Sequence, residues 1–181
     1  MNGDSPRRQR PDKREHFFNR AKTVAERGTC LRRKVGAVII KDGVELSSGY
    51  VGSPRDTHHC IDIGKCLRRE LRIPSGQNYE LCRSVHAEQN AIINAARIGV
   101  SIVDGEMYIS SERIRGAYGD GKEESSRIYA PCIICKKEII NAGLNKVHMR
   151  EEGVGERTYS IEEIRELLAK EEEEWRSKKS A

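Results

Sequence analysis

Two short segments of the chain carry residues that could hold a metal ion and perform acid–base chemistry. The first is His86-x-Glu88 and the second is Pro131-Cys132-x-x-Cys135. One imidazole and two thiolates give a tetrahedral zinc three protein ligands and leave the fourth position open. An open position is typical of a catalytic zinc, because structural sites fill all four. Glu88, two residues after the histidine, suits the general acid and base that such a metal needs.

The combination of the two segments is more informative than either one alone. A lone Cys-x-x-Cys is often a redox pair or half of a structural zinc site, and a lone His-x-Glu means little. Together, with proline before the first cysteine, they match a signature of zinc-dependent base deaminases. In that chemistry Glu88 would move a proton from water to a ring nitrogen and then to the departing amine. A purely structural zinc protein remains the alternative, and it predicts closed, four-coordinate metals.

Four further cysteines remain, which is the number that a closed structural zinc site needs: Cys30, Cys60, Cys66 and Cys82. Cys60 and Cys66 lie in a long loop region over residues 52–84, Cys82 lies just before the helix that carries His86, and Cys30 lies just before the first strand. A second zinc would pin the loop to the core. His59 could replace one of the thiolates. The alternative is that some of these cysteines are small buried hydrophobic residues or exposed thiols. Because the chain shows no signal peptide, we expect reduced thiols and a cytoplasmic location.

Length and composition favour one folded domain. The chain has 181 residues, a net charge of +5, 36% hydrophobic and 34% charged residues. We predict a disordered basic tail over residues 1–14, a catalytic domain over 15–159 and a charged carboxy-terminal helix over 160–181. No apolar run approaches the ~20 residues that cross a membrane, so no membrane segment is expected. The modest positive charge permits an anionic ligand such as a nucleotide.

Hydrophobic periodicity predicts a layered α/β domain, because strands alternate with helices. Four short apolar segments are predicted to be strands: 35–40, 44–50, 106–110 and 146–150. Four amphipathic segments are predicted to be helices: 16–27, 85–97, 131–141 and 161–175. A polar, glycine-containing insertion over residues 112–127 could form a lid or an oligomer contact.

Five segments resemble those of deoxycytidylate (dCMP) deaminases: 30–39, 49–55, 59–60, 82–92 and 131–143. The resemblance implies a cytidine-deaminase-like fold, which is a three-layer α/β/α domain with a five-stranded mixed sheet. It also implies hydrolysis of dCMP to dUMP with one catalytic zinc, and assembly into homo-oligomers. Many members carry a second zinc, and many are regulated by dCTP and dTTP, so allosteric nucleotides are possible partners.

The resemblance assigns roles residue by residue. His86, Cys132 and Cys135 match the zinc ligands, and Glu88 matches the proton shuttle. Arg97 matches an arginine that the family places near the nucleotide phosphate, where a planar guanidinium can donate two hydrogen bonds. The alternative for Arg97 is an ordinary cation at a helix carboxyl end.

Two further basic residues, Arg33 and Lys34, stand where the family has basic residues near the site, and a solvated pair at a strand edge is the alternative. Tyr129 is a candidate for the wall of the base pocket, although packing would also explain it. Val51 stands where the family usually has an asparagine that could bind sugar or phosphate, and Asp56 stands where it usually has glycine.

These departures leave other substrates open, namely a nucleoside, another aminated nucleobase or a modified nucleotide. An RNA-acting deaminase is a further alternative, supported only by a basic amino terminus: Arg7, Arg8, Arg10, Lys13 and Arg14. No aromatic residues interleave with these cations, so solvated charge explains them better and no nucleic-acid partner is expected.

Overall fold

The structure is a computed structural model that describes residues 9–74, 77–114, 128 and 130–179. The helices in this part of the chain are α1 (Lys13–Ala25), α2 (Cys60–Ile63), α3 (Leu67–Glu70), α4 (Ala87–Ile98), α5 (Ile133–Asn141) and α6 (Ile161–Lys179). The strands are β1 (Arg33–Lys41), β2 (Val44–Tyr50), β3 (Glu106–Arg113), β4 (Lys146–Glu151) and β5 (Gly155–Ser160). A short 3₁₀ helix covers Tyr79–Leu81.

The five strands form one mixed sheet in the order β2-β1-β3-β4-β5. Only β3 and β4 pair in parallel, and the other neighbours are antiparallel. This confirms the five-stranded mixed sheet that the resemblance implied. Strand β5 was missing from the strands that periodicity predicted. Its residues are polar and mostly exposed, and only Tyr159 is buried, so it carries no hydrophobic pattern of a core strand.

Helices cover both faces of the sheet, which confirms the three-layer architecture. On one face α1 packs against the sheet, and its buried cluster is Phe17, Phe18, Ala21, Val38, Ile40 and Tyr108. On the other face α4 and α5 pack together, and their buried cluster includes Ala37, Ile39, Ala87, Ala91, Met107, Ile109 and Ile139. Alternate residues of β1 serve the two clusters, as the two-residue period of a strand requires.

Gly49 in β2 allows α4 to lie directly on the sheet. A Cβ atom at this position would come within 2.3 Å of the Ala91 nitrogen and 2.6 Å of the Ala87 oxygen. The side chain of Asn90 also donates to the Tyr50 carbonyl at 2.8 Å. The register of α4 on β2 is therefore set by backbone contact, and this register determines where the helix begins.

The amino-terminal segment is ordered closer to the start of the chain than the tail prediction allowed. Helix α1 begins at Lys13, and the Asp12 carboxylate accepts a hydrogen bond from the Glu15 amide at 2.7 Å, as an N-cap does. Arg14 pairs with Glu156 of β5 at 2.9 Å. Lys13 and Arg14 thus belong to the folded part, which corrects the predicted tail boundary at residue 14. Residues 1–8 lie outside the described part.

Helix α6 packs on α5 and β5, and its Ile164 is fully buried. Lys136 of α5, itself buried, donates to Glu171 of α6 at 2.5 Å. Within the described residues, no helix combines the length and the apolar character needed to span a bilayer.

Strand β3 continues through Arg113, so the predicted insertion does not begin at Glu112. The rest of that prediction falls on residues that are mostly outside the described part. The long region over residues 52–84 is not a plain loop, because it contains α2, α3 and the 3₁₀ helix.

Candidate metal centre

The predicted metal ligands meet at the amino ends of two neighbouring helices. His86 is the N-cap residue of α4, and Cys132 is the N-cap residue of α5. Cys135 follows in the first turn of α5 and is fully buried. Each helix therefore begins two residues later than the sequence predicted. The positive ends of both helix dipoles point at the same place, which favours thiolate over thiol there.

The three ligand atoms are close enough to share one zinc ion. The Nδ1 atom of His86 lies 3.4 Å from the Cys132 sulfur and 3.4 Å from the Cys135 sulfur. All three ligand atoms lie within 4.8 Å of one another. Usual zinc bond lengths at a tetrahedral angle put a nitrogen about 3.6 Å from a sulfur. The side chains therefore fit a zinc bound through the histidine Nδ1 atom.

Gln89 ties the two helix starts together, and the sequence analysis missed this residue. Its side-chain oxygen accepts from the His86 amide at 3.0 Å, and its side-chain nitrogen donates to Glu138 of α5 at 2.8 Å. Just upstream, Gly52 and Val85 form a two-bond β-bridge. The segment that enters α4 is thus fixed on both sides of His86.

The pKa values of the three ligands are shifted by their contacts with one another. The hydrogen bond from Cys135, with a further contribution from His86, lowers the pKa of Cys132 to about 4 against the effect of burial. Burial lowers the pKa of His86, but the hydrogen bond to Cys132 and the charge of Glu88 outweigh it and raise the pKa to about 9. The neighbouring Cys132 thiolate and burial raise the pKa of Cys135. Zinc binding must therefore displace protons.

Glu88 lies in the first turn of α4 beside the ligands and is only 7% exposed. Burial raises its pKa, whereas His86 opposes this rise. A buried carboxylate whose pKa is raised can hold a proton and release it again at neutral pH. This is the property that the sequence analysis required of the residue beside the metal.

One aromatic ring beside the centre was not predicted. Tyr79 stands perpendicular to the His86 ring, with 5.5 Å between ring centroids and an interplanar angle of 85°. Tyr79 belongs to the 3₁₀ helix of the long loop region, where no periodic pattern could reveal it. Tyr129, which the sequence analysis placed at the base pocket, lies outside the described residues.

The other four cysteines are neighbours, but they are not drawn together like the first group. None of them is in a disulfide. Burial raises the pKa of Cys60, and the nearby thiols of Cys30, Cys66 and Cys82 add to this rise. Among the described residues, only the group at the helix starts has three ligand atoms within 4.8 Å of one another. The Nδ1 atom of His59 is buried without a hydrogen-bond partner in the described part.

Arg33 and Lys34 are the first two residues of β1, at the end of the sheet near the metal centre, and they lie on opposite faces of the sheet. Arg33 shares the face of Ala37, which is the face that α4 and α5 cover. It donates to the Ser111 hydroxyl at 3.2 Å and lies 3.5 Å from the buried Glu151 carboxylate. Lys34 belongs to the opposite face and sits 3.9 Å from Glu112.

Arg97 lies at the opposite end of α4 from the metal ligands. It follows His86 by eleven residues, which corresponds to about 16 Å along a helix axis. There it lines an open cavity of about 600 Å³ together with Arg20 and Arg55. The Arg55 guanidinium donates to the Asn94 side chain at 3.1 Å.

Val51 and Asp56, the two departures from the family pattern, follow β2. Val51 is buried, and its backbone bonds to Thr29 at 3.0 Å and Val35 at 2.9 Å. Asp56 has φ of 59°, in the left-handed region that glycine enters freely and aspartate tolerates. Asp56 therefore adopts a backbone conformation that a glycine at this position would also allow.

Comparison with known proteins agrees with the geometry. Residues 11–151 match the family model described as "Cytidine and deoxycytidylate deaminase zinc-binding region". The ComE operon protein 2 of Bacillus subtilis is 31% identical over 138 residues, which is 76% of this chain and 59% of that protein. The deoxycytidylate deaminase of Mycobacterium phage D29 is 30% identical over 143 residues, which is 76% of this chain and 94% of that protein.

A solved structure also resembles the fold. The apo dCMP deaminase of cyanophage S-TIM5 superposes with a TM-score of 0.54 at 26% identity, covering 80% of this chain and 87% of that one. The chain spans about three fifths of the length of the Bacillus subtilis relative.

Proposed function

The chain belongs to the cytidine and deoxycytidylate deaminase family, and from that premise we propose that it hydrolyses dCMP to dUMP and ammonia. The observation that carries this proposal is the convergence of His86, Cys132 and Cys135 beside the buried Glu88. An imidazole and two thiolates leave a fourth position free on zinc. That position and an adjacent proton carrier are what hydrolytic deamination needs.

Two named relatives support dCMP as the substrate. The proteins from phage D29 and cyanophage S-TIM5 are both described as deaminases of this nucleotide. The Bacillus subtilis relative carries a different name. Val51, which cannot hydrogen-bond to sugar or phosphate, keeps another aminated nucleoside or nucleotide as the second candidate. A panel of cytosine, adenine and guanine compounds separates the two.

Glu88 carries the protons of the proposed reaction. Zinc, when bound, supplies Lewis-acid activation of the attacking water. Glu88 accepts a proton from that water, gives it to the ring nitrogen next to the reacting carbon, and later helps a proton reach the amine. The water oxygen becomes the new carbonyl oxygen, and the carbon–nitrogen bond breaks to release ammonia. Water is consumed one for one.

Arg33 is the better candidate of the two basic neighbours for contact with the substrate phosphate. It lies at the end of the sheet, and on the face of the sheet, where α4 and α5 begin. Its guanidinium is already oriented by Ser111 and Glu151. Lys34, on the opposite face, is better explained by its pairing with Glu112. Arg33→Ala should raise KM for dCMP more than for deoxycytidine, and Lys34→Ala is the matched control.

Replacing Glu88 by glutamine tests the proposal directly. The variant should keep its zinc and lose about 10³-fold in turnover, within the range that acid–base catalysis contributes. Glu80→Gln, an exposed carboxylate of the same chain, is the control and should turn over normally. Normal turnover by Glu88→Gln would show that the proton carrier lies elsewhere.

A second, structural zinc among Cys30, Cys60, Cys66 and Cys82 is part of the proposal. Support comes from the mutual proximity of these thiols and from the Arg32 amide, which donates to the Cys30 sulfur at 3.4 Å. His59 is the substitute ligand, supported by its buried and unpartnered Nδ1 atom. Two zinc ions per chain should fall to one in Cys66→Ser, and a single zinc in both proteins would overturn this part.

A regulatory nucleotide and self-association complete the proposal. The open cavity at the far end of α4 presents Arg55 and Arg97, which suits the phosphates of an anionic nucleotide. Two apolar residues on the same helix, Ile93 and Ile98, are 48% and 69% exposed, which suits a contact with a second copy. Titration with dCTP or dTTP against Arg97→Ala, and sedimentation of Ile98→Glu, test these two parts separately.

A further inference from the structure

Two side chains connect the cysteine-rich loop to the histidine of the metal centre. The Arg68 guanidinium carbon lies 5.5 Å from the centroid of the Tyr79 ring, within the range of cation–π attraction. The same tyrosine ring makes a perpendicular contact with His86, at 5.5 Å between centroids. We call these two residues the Arg68–Tyr79 brace.

Arg68 is anchored by the backbone of its own loop. It is only 6% exposed, and its guanidinium donates to three backbone carbonyls. The acceptors are the oxygens of Pro74 at 2.9 Å, Gln77 at 2.5 Å and Asn78 at 2.5 Å. The loop therefore folds around one planar cation, and a lysine cannot reproduce that arrangement of donors. The position of Tyr79, the next residue, follows from this anchoring.

Each member of the brace lies next to a cysteine of the proposed second zinc site. Arg68 follows Cys66 by two residues, and the Cys82 amide donates to the Tyr79 carbonyl at 3.0 Å. Fixing the positions of Cys66 and Cys82 therefore also restricts Arg68 and Tyr79, because a few covalent bonds and one hydrogen bond connect them. The ring contact of Tyr79 in turn restricts the orientation of the His86 imidazole.

The contact with His86 depends on the aromatic ring of Tyr79. Burial raises the pKa of the Tyr79 phenol, and the nearby Cys132 adds to this rise while Arg68 opposes it. The phenol is therefore neutral at ordinary pH. A phenylalanine ring should make the same perpendicular contact with the imidazole.

We propose that Tyr79, held by Arg68, is a positioning residue that orients the His86 imidazole, so that the cysteine-rich loop sets the zinc affinity of the catalytic centre. This inference rests on the proposed function only in requiring that the centre binds zinc. Contacts that orient a metal-ligating histidine typically change metal affinity 10- to 100-fold. Neither residue belongs to the His-x-Glu or the Pro-Cys-x-x-Cys motif, because the brace acts from outside the ligand set.

The test measures metal binding instead of turnover. Zinc is titrated into the full-length protein against a chromophoric chelator, and Co²⁺ replaces it to read the ligand field from visible absorption. Tyr79→Ala and Arg68→Met should weaken the catalytic centre 10- to 100-fold and shift the Co²⁺ spectrum. Tyr79→Phe should stay within about threefold of the wild type, since the ring remains. Glu80→Ala, an exposed neighbour, is the control.

One further variant separates the two metal sites, and the Tyr79 pair covers the case in which Arg68→Met does not fold. The same titration on Cys132→Ser isolates the metal bound by the loop, so that the two sites are not confused. If Arg68→Met does not fold, the pair Tyr79→Ala and Tyr79→Phe decides alone. Wild-type affinity and an unshifted Co²⁺ spectrum in Tyr79→Ala would overturn the inference. Because deamination is not measured, a wrong substrate assignment leaves this test intact.

Discussion

The two cysteine-containing regions of the molecule differ in how closely the fold brings their ligand atoms together. At the starts of α4 and α5, three ligand atoms already lie within 4.8 Å of one another. Around Cys60 the thiols are neighbours, but in the described part they do not form such a group. Long helices packed on a sheet fix the first ligand set. In the second set, Cys60, Cys66 and Cys82 lie at the ends of one-turn helices in a loop, and Cys30 lies just before β1. Packing therefore builds the first centre, whereas the proposed second site would need metal binding itself to bring its ligands together.

The largest expected contrast is between a ligand at the helix starts and a ligand in the loop. Cys132→Ser should lose the catalytic zinc and all detectable dCMP turnover, and added zinc should not restore it. Cys66→Ser should lose the loop zinc and weaken the catalytic centre only through the brace. Excess zinc should therefore restore most of its activity. Turnover and bound zinc are measured across a zinc titration.

The opposite pattern of rescue by zinc would contradict the assignment of the two sites. If added zinc rescues Cys132→Ser but not Cys66→Ser, the loop holds the catalytic metal. Circular dichroism on both variants checks that each retains its fold, so that loss of activity reports on the metal.

Gly49→Ala tests whether packing builds the first centre. The new Cβ would meet the backbone of α4 at 2.3 Å, so the helix must move or the strand must yield. We expect the free energy of unfolding to fall by about 3 kcal/mol, the upper range for overpacking. Ser48→Ala, the neighbouring position, should change it by less than about 0.5 kcal/mol. Chemical denaturation measures both, and equal stability of the two variants would contradict the account.

The two sites should also respond differently to acid. In the proposed second site the four thiols must give up their protons to bind zinc, and burial raises the pKa of Cys60 and Cys82. At the helix starts only Cys135 and His86 must do so, because the pKa of Cys132 is already about 4. Zinc binding at the proposed second site therefore displaces more protons, so its zinc should leave at a higher pH and over a narrower range.

A zinc-sensitive dye follows this release from pH 8 downwards. The variants Cys66→Ser and Cys132→Ser assign each step to one site. Release of the catalytic zinc first would reverse the proposed order of stability.

The ligands of the metal centre could be predicted from the sequence because they stand in short motifs with fixed spacing. His86, Glu88, Cys132 and Cys135 were all named from two motifs, and the helix starts that position them follow from local patterns. The layered fold followed from alternating strands and helices. Strand β5 was not predicted because this exposed edge strand has no apolar pattern to detect.

The residues that were missed act over long sequence distances. Gln89 reaches Glu138 on another helix, and Tyr79 reaches His86 from an irregular loop, so neither contact leaves a periodic signal. Two other placements follow from the periodicity of strands and helices. Strand alternation separates Arg33 from Lys34, and helical rise puts Arg97 about 16 Å from His86 along α4.

The most direct test of the central claim follows the oxygen that enters the product. The zinc-loaded chain is incubated with dCMP in ¹⁸O-labelled water, and the products are analysed by mass spectrometry and an ammonia assay. The account predicts dUMP carrying one ¹⁸O atom, one ammonia per dUMP, and about 10³-fold slower formation of both products by Glu88→Gln. Unchanged dCMP in the zinc-loaded wild type, or equal turnover by the Glu88→Gln variant, would contradict it.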